Sequence, residues 1–153
     1  MKIIDILDKT SVVEDFVSRD KKRALEELIS VLVENGRLDD KENALQVLLE
    51  REKLGSTGIG DGIAIPHGKL KEIKGIICSF GRSREGIDFQ SIDEKPTHLF
   101  FLLLAPEDSA GEHLEALARL SRLLKDSQFR KRLMEANSKE EIYRIIVEED
   151  ENY

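Results

Sequence analysis

Gly55-Ser-Thr-Gly-Ile-Gly-Asp-Gly-Ile-Ala-Ile-Pro-His-Gly-Lys69 holds five of the chain's ten glycines, one of its three prolines and one of its three histidines. How this stretch is read decides the fold, because glycine-rich loops of several kinds open different α/β architectures. A dinucleotide fingerprint requires G-x-G-x-x-G between a strand and a helix. Here Gly58-Ile-Gly60-Asp-Gly62 runs into Ile63-Ala-Ile65-Pro66, which is strand-like. A P-loop requires four residues between its glycines and then Lys-Ser/Thr. Gly62 and Gly68 are separated by five, and Leu70 follows Lys69. The His-Arg-Asp and Asp-Phe-Gly signatures that accompany a kinase glycine loop are absent from the sequence.

What remains is a loop of small residues, a short apolar strand and Pro66-His67-Gly68. Proline fixes the backbone ahead of the histidine, and glycine after it allows a close approach. Backbone N–H groups of the glycine loop, from Ser56, Thr57, Gly58, Gly60 and Gly68, are expected to cradle a small anion beside the imidazole. A neutral imidazole nitrogen is a good nucleophile near pH 7. The pattern therefore fits attack by His67 on phosphorus, and it equally fits a turn histidine without chemistry.

Outward from the loop, the chain reads as one α/β domain over residues 1–153. Ala24, Leu25, Leu28, Ile29, Leu32 and Val33 recur at helical spacing, with Gly36 as a stop. Leu38-Asp39-Asp40 opens a second helix that carries Ala44, Leu45, Leu48 and Leu49 and ends at Arg51-Glu52. Short apolar runs at Ile63–Ile65, Gly75–Phe80 and Leu99–Ala105 read as strands, and the last has no polar alternation, as in a central strand covered on both faces. Ser109 and Glu112 have capping-box spacing before a stripe of Leu114, Leu117, Leu120 and Leu124. A helix at 129–135 follows, then a second capping box, Ser138 with Glu141, before Ile142, Tyr143, Ile145 and Ile146. The acidic tail from about 148 is expected to fray into solvent. The predicted architecture is a mixed parallel/antiparallel sheet flanked by helices on both faces.

The chain carries 24 Lys and Arg against 31 Asp and Glu, a formal charge of −7. That argues against nucleic-acid binding, which needs a basic footprint. The clusters Lys21-Lys22-Arg23 and Arg130-Lys131-Arg132 read as solvated helix faces. One cysteine excludes an internal disulfide, and Cys78 in an apolar strand run reads as an inert core thiol. The start of the chain lacks the features of a signal peptide. The longest apolar run, Leu99–Ala105, is far short of the roughly 20 residues a membrane span needs. The expectation is a cytoplasmic protein without membrane insertion.

His113 falls in the first turn of the helix opened by Ser109, on the face of Leu117, Leu120 and Leu124. It is expected to point inward from a helix N-terminus that favours a bound anion, or to be a satisfied core histidine. His98 begins the buried strand and reads as structural. No two histidines have ligand spacing and no His-Glu-x-x-His occurs, so no metal is expected. A metal-dependent hydrolase using His67 and His113 is the remote alternative.

Arg51, the run from Gly55 to Gly68 and Gly111-Glu-His-Leu114 together resemble the type-2 enzyme IIA domains (fructose/mannitol family) of the bacterial phosphoenolpyruvate-dependent phosphotransferase system (PTS), most closely the nitrogen-regulatory branch. The resemblance spans essentially the whole chain, as a lone IIA domain. It implies a phosphoryl carrier in which His67 accepts a phosphoryl group on Nε2 from the phosphohistidine of HPr or its nitrogen-branch relative. His113 and Arg51 match the family's supporting residues, and no cofactor is implied. Two roles follow: a regulatory protein that binds a downstream target according to its phosphorylation, or a sugar-uptake component that donates to a cysteine of a IIB protein.

Overall fold

A computed structural model describes all residues, Met1–Tyr153. After a short 3-10 turn at Ile3–Asp5, the order is β1 (Leu7–Val13), α1 (Lys21–Glu34), α2 (Lys41–Lys53), β2 (Gly58–Gly60), β3 (Ile63–Ala64), β4 (His67–Leu70), β5 (Ile77–Ile87), β6 (Thr97–Pro106), α3 (Ala110–Leu123), α4 (Ser127–Glu135) and α5 (Lys139–Glu151). The sheet runs β1-β5-β6-β3-β2, with β4 also paired to β6. β1 is parallel to β5, β5 antiparallel to β6, and β3 and β4 parallel to β6. The mixed sheet expected from the sequence is the one observed.

β6 is buried on both faces because each of its sides meets a separate helical layer. Leu99, Phe101 and Leu103 pack with residues of α3, α4 and α5, whereas Phe100, Leu102 and Leu104 pack with α1 and α2. This alternation between two layers leaves no polar position in β6 from Leu99 to Ala105. Both cores depend on it.

β3 and β4 lie end to end along β6. Ile63 pairs with Leu99 and His67 with Leu103, so both keep one register offset, 36 residues. The line breaks at Ile65-Pro66, where proline has no N–H to give, yet the Pro66 carbonyl still accepts from Leu103 N at 2.9 Å. The histidine is thus pinned at the start of a strand beside the central one.

The helix ends follow local chemistry. Asp20, Asp40, Asp126 and Ser138 accept backbone N–H bonds at the starts of α1, α2, α4 and α5. Gly36 takes φ 73 just beyond α1, where Arg37 N closes onto Leu32 O. Ser138 accepts from Glu141 N, while the Glu141 carboxylate returns to Asn137 N.

Four local expectations are corrected. Ser109 makes no capping box with Glu112, because its hydroxyl donates to the Pro106 carbonyl instead. Leu114 leaves the apolar stripe and is exposed, and the buried line of α3 is His113, Ala116, Leu120 and Leu123. The acidic tail does not fray: α5 continues to Glu151, and fully buried Asp150 accepts from Arg119 Nε at 2.7 Å and from Ile4 N at 3.1 Å. Lys21 does not sit on a solvated face but is paired with buried Glu52 at 2.9 Å.

No helix is long and apolar enough to cross a membrane.

Candidate functional site

His67 opens β4, half-buried, with Nδ1 2.8 Å from the Ile65 carbonyl oxygen. A carbonyl only accepts, so this contact places the ring proton on Nδ1 and leaves the lone pair on Nε2. The Pro66 carbonyl, one residue on, takes the ladder bond from Leu103 N, so the Ile65 carbonyl points away from β6 and is free for the ring. Gly68 follows, and a Cβ there would stand 2.8 Å from Val47 Cγ1 of α2. Glycine therefore lets α2 approach β4 directly beside the histidine.

His113 arrives from the opposite side on the first turn of α3. Its ring lies 5.5 Å from that of His67, centroid to centroid, at 73°. It is 5% exposed, and its Nε2 is buried without a hydrogen-bond partner. Burial first, then the neighbouring His67 and Lys69, hold its pKa below the ordinary 6.5. His113 is thus a neutral imidazole at pH 7.

Arg51 comes from the last turn of α2, where Nη1 donates to the Gly55 carbonyl at 2.9 Å. Arg51, His67, Gly68, Lys69 and His113 line one cleft of about 660 Å³, with Val47 and Leu54 as its apolar wall. Arg51, Lys53 and Lys69 line it with Glu50 as the one acid, so the cleft is locally cationic in a chain of net charge −7. Such a site can hold an anion beside an unprotonated imidazole nitrogen.

The glycine loop lies elsewhere. Asp61 and Gly62, with φ 57 and 76, form the two-residue turn of a hairpin between β2 and β3. Thr57 N donates to Glu52 Oε1 at 3.1 Å and the Thr57 hydroxyl to Glu52 Oε2. Gly58 N donates to Ser56 Oγ, which itself donates to Phe89 O. Gly60 closes the hairpin against Ile63. Of the five residues expected to cradle an anion, only Gly68 lines the cleft. The amides of Thr57 and Gly58 bond within the protein, to Glu52 and Ser56.

Lys69 and Lys53 also line the cleft, and no motif in the sequence marks either. Position supplies the only signal available for them, two residues beyond His67 and Arg51 respectively. His98 is away from the cleft, with Nδ1 2.8 Å from Ser83 O. Cys78 is buried, and burial pushes its thiol pKa up. No three His, Cys, Asp or Glu side chains are grouped so as to hold a metal ion.

Residues 5–149 match the family described as phosphoenolpyruvate-dependent sugar phosphotransferase system, EIIA 2. A PTS system fructose-specific EIIABC component of Bacillus subtilis is 41% identical over 98% of this chain, which spans only 24% of that relative's length. A nitrogen regulatory protein of Bradyrhizobium diazoefficiens is 40% identical, with 95% of each chain covered. The crystal structure of nitrogen regulatory protein IIA-Ntr from Neisseria meningitidis superposes with a TM-score of 0.87 at 40% identity, covering 94% of this chain and 98% of that one. A match over nearly the whole chain, with relatives of this identity along its length, settles its membership: the chain belongs to the EIIA 2 family of the phosphoenolpyruvate-dependent sugar phosphotransferase system.

Proposed function

We propose that this protein is a regulatory, nitrogen-type phosphoryl carrier that accepts a phosphoryl group on His67 Nε2 from the phosphohistidine of HPr or its nitrogen-branch relative. The observation that carries the reading is the Nδ1 contact with the Ile65 carbonyl, which leaves Nε2 as the nucleophile. In the transfer, the Nε2 lone pair attacks phosphorus in line. The donor's N–P bond breaks, and its electron pair returns to the donor imidazole. His67 keeps its Nδ1 proton on Ile65 throughout, so no base is needed.

Cationic Arg51 and Lys69 offset the charge of the phosphoryl oxygens. Neutral His113 supplies an N–H: its buried, unpartnered Nε2 acquires a hydrogen-bond acceptor when a phosphoryl group enters. Donor and product are both phosphohistidines, so the exchange is nearly balanced and suits a relay. The phosphorylated and free forms then differ by a dianion at the cleft mouth, which a cytoplasmic target protein can distinguish.

A second reading has support in the fructose-specific relative. There the same phosphohistidine passes its group to a cysteine of a IIB protein, and the protein serves sugar uptake.

The test combines enzyme I, the cognate histidine phosphocarrier, phosphoenolpyruvate and this protein, with intact mass read for wild type and His67→Ala. One acid-labile phosphoryl group, present in the wild type and absent from the variant, is the expected result. No added mass with the cognate carrier overturns the proposal. Onward transfer to a IIB protein of the same organism selects the uptake reading over the regulatory one.

A further inference from the structure

Behind Arg51 lies a charged cluster that no step of the transfer uses. Glu52 is the next residue of α2, and its carboxylate is 5% exposed. Oε1 accepts from Lys21 Nζ at 2.9 Å and from Thr57 N at 3.1 Å, and Oε2 accepts from the Thr57 hydroxyl. Lys21, 16% exposed, also stands 4.5 Å over the Phe89 ring. A buried ion pair is weak support for stability, because apolar residues of equal volume often serve as well. Its geometry here has a more specific consequence.

We infer that Glu52 is a positioning residue that sets Arg51 for phosphoryl transfer, an inference that rests on the function proposed above. Gly55 N donates to the Glu52 carbonyl at 3.1 Å, and the Glu52 carboxylate grips Thr57 two residues further on. Gly55 is thus held from both sides by one residue. Its carbonyl is the acceptor of Arg51 Nη1 at 2.9 Å. Arg51 is a long side chain at a helix end, and with that carbonyl in place its guanidinium is directed before the phosphoryl group arrives. Lys21 keeps the carboxylate turned inward and links the arrangement to α1.

Loss of such alignment, even by about 1 Å, costs up to roughly a hundredfold in rate. The expected effect of Glu52→Gln, which keeps the shape but brings an N–H₂ to the Thr57 donors, is a tenfold or greater loss of transfer rate. The half-saturating carrier concentration stays as in the wild type. Thr57→Ser keeps the hydroxyl and the rate, whereas Thr57→Val shares the loss. In an Arg51→Ala background Glu52→Gln has no further effect, because the residue it positions is gone.

A second readout does not depend on transfer. The Arg51 side-chain Nε–Hε signal in a ¹⁵N spectrum stands apart from those of exposed arginines in the wild type, and joins them in Glu52→Gln. Wild-type rate in Glu52→Gln, or a loss that multiplies onto that of Arg51→Ala, overturns the inference. Should Glu52→Gln fail to fold, Thr57→Val carries the same comparisons. A wild type that takes no phosphoryl group refutes the proposed function instead, and the Arg51 signal then decides the positioning: unchanged in the variant, it refutes that as well.

Discussion

Gly68→Ala separates two opposed effects at the position beside His67. Glycine within a strand is unfavourable by about 0.5–1 kcal/mol relative to alanine, because the unfolded chain loses more freedom on folding. Alanine would therefore stabilise β4 if the space were open. It is not: the new Cβ would stand 2.8 Å from Val47 Cγ1, while Leu48 Cδ2 at 3.6 Å is an ordinary contact. Val47 is β-branched on a helix and has essentially one rotamer, so it cannot turn aside. Either α2 retreats or β4 bends, at about 1–3 kcal/mol. The steric effect outweighs the entropy gain over most of that range, leaving a net loss of up to about 2.5 kcal/mol, with a fall in Tm of roughly 2–4 °C for each kcal/mol lost. Because α2 carries Arg51, transfer slows too. In a Val47→Ala background the clash is gone and only the entropy effect remains, so Gly68→Ala there becomes neutral or mildly stabilising. Urea unfolding of the four proteins, followed by circular dichroism, gives both differences. The same sign in both backgrounds refutes the packing argument.

Asp150→Ala takes the carboxylate from Arg119, which keeps only the backbone carbonyl of residue 150, and leaves Ile4 N without its acceptor, so it costs about 3–5 kcal/mol in urea unfolding; Glu148→Ala, from an exposed pair with Arg132, leaves the midpoint nearly unchanged. Arg82 is fully buried and donates to the carbonyls of Glu14, Leu133 and Ala136. Arg82→Met leaves the first two without that donor and lowers stability by about 2–4 kcal/mol in the same assay. For His113 the pH dependence has a definite sign. Above its ordinary pKa of 6.5 the ring is neutral folded or unfolded and contributes no slope. Below 6.5 the unfolded chain takes up a proton that the native state resists, so stability is lost as pH falls from 6.5 toward the lower folded value. Urea midpoints between pH 7.5 and 5.5 fall more steeply for wild type than for His113→Gln, and parallel slopes refute the buried neutral ring.

Long, regular elements were legible because one physical rule dominates each of them. Six consecutive apolar residues, Leu99 to Leu104, have no place except between two layers, and the leucines of α1 repeat at helical spacing on one buried face. β1 escaped notice because Asp8, Lys9 and Thr10 face outward on consecutive positions, and its pairing with β5 is irregular between Leu7 and Val12. β2 has three residues, too few for a period of two to declare itself, whereas the apolar run at Ile63–Ile65 marks β3. The tail misled for a different reason. Four acidic residues look solvated in sequence, and only the distant Arg119 makes the burial of Asp150 possible.

The site divides along the same line. His67, Arg51 and His113 each carry a local signal: a Pro-His-Gly frame, a helix end and a helix start. Their convergence is a property of the tertiary fold, since β4, α2 and α3 meet only across the sheet edge that β6 organises. The glycine stretch shows how local reading overreaches. Its density invites a single explanation, a cradle of amides, yet Gly62 serves a hairpin turn that requires positive φ and Gly68 serves the close approach of α2. Between them the chain needs only Ile63-Ala-Ile-Pro to carry the histidine along β6 and release the Ile65 carbonyl to its ring. The glycines therefore act on His67 through the backbone they shape rather than through the donors they expose. Arg51, Lys69 and His113, the residues proposed to support the anion, line the cleft from α2, β4 and α3.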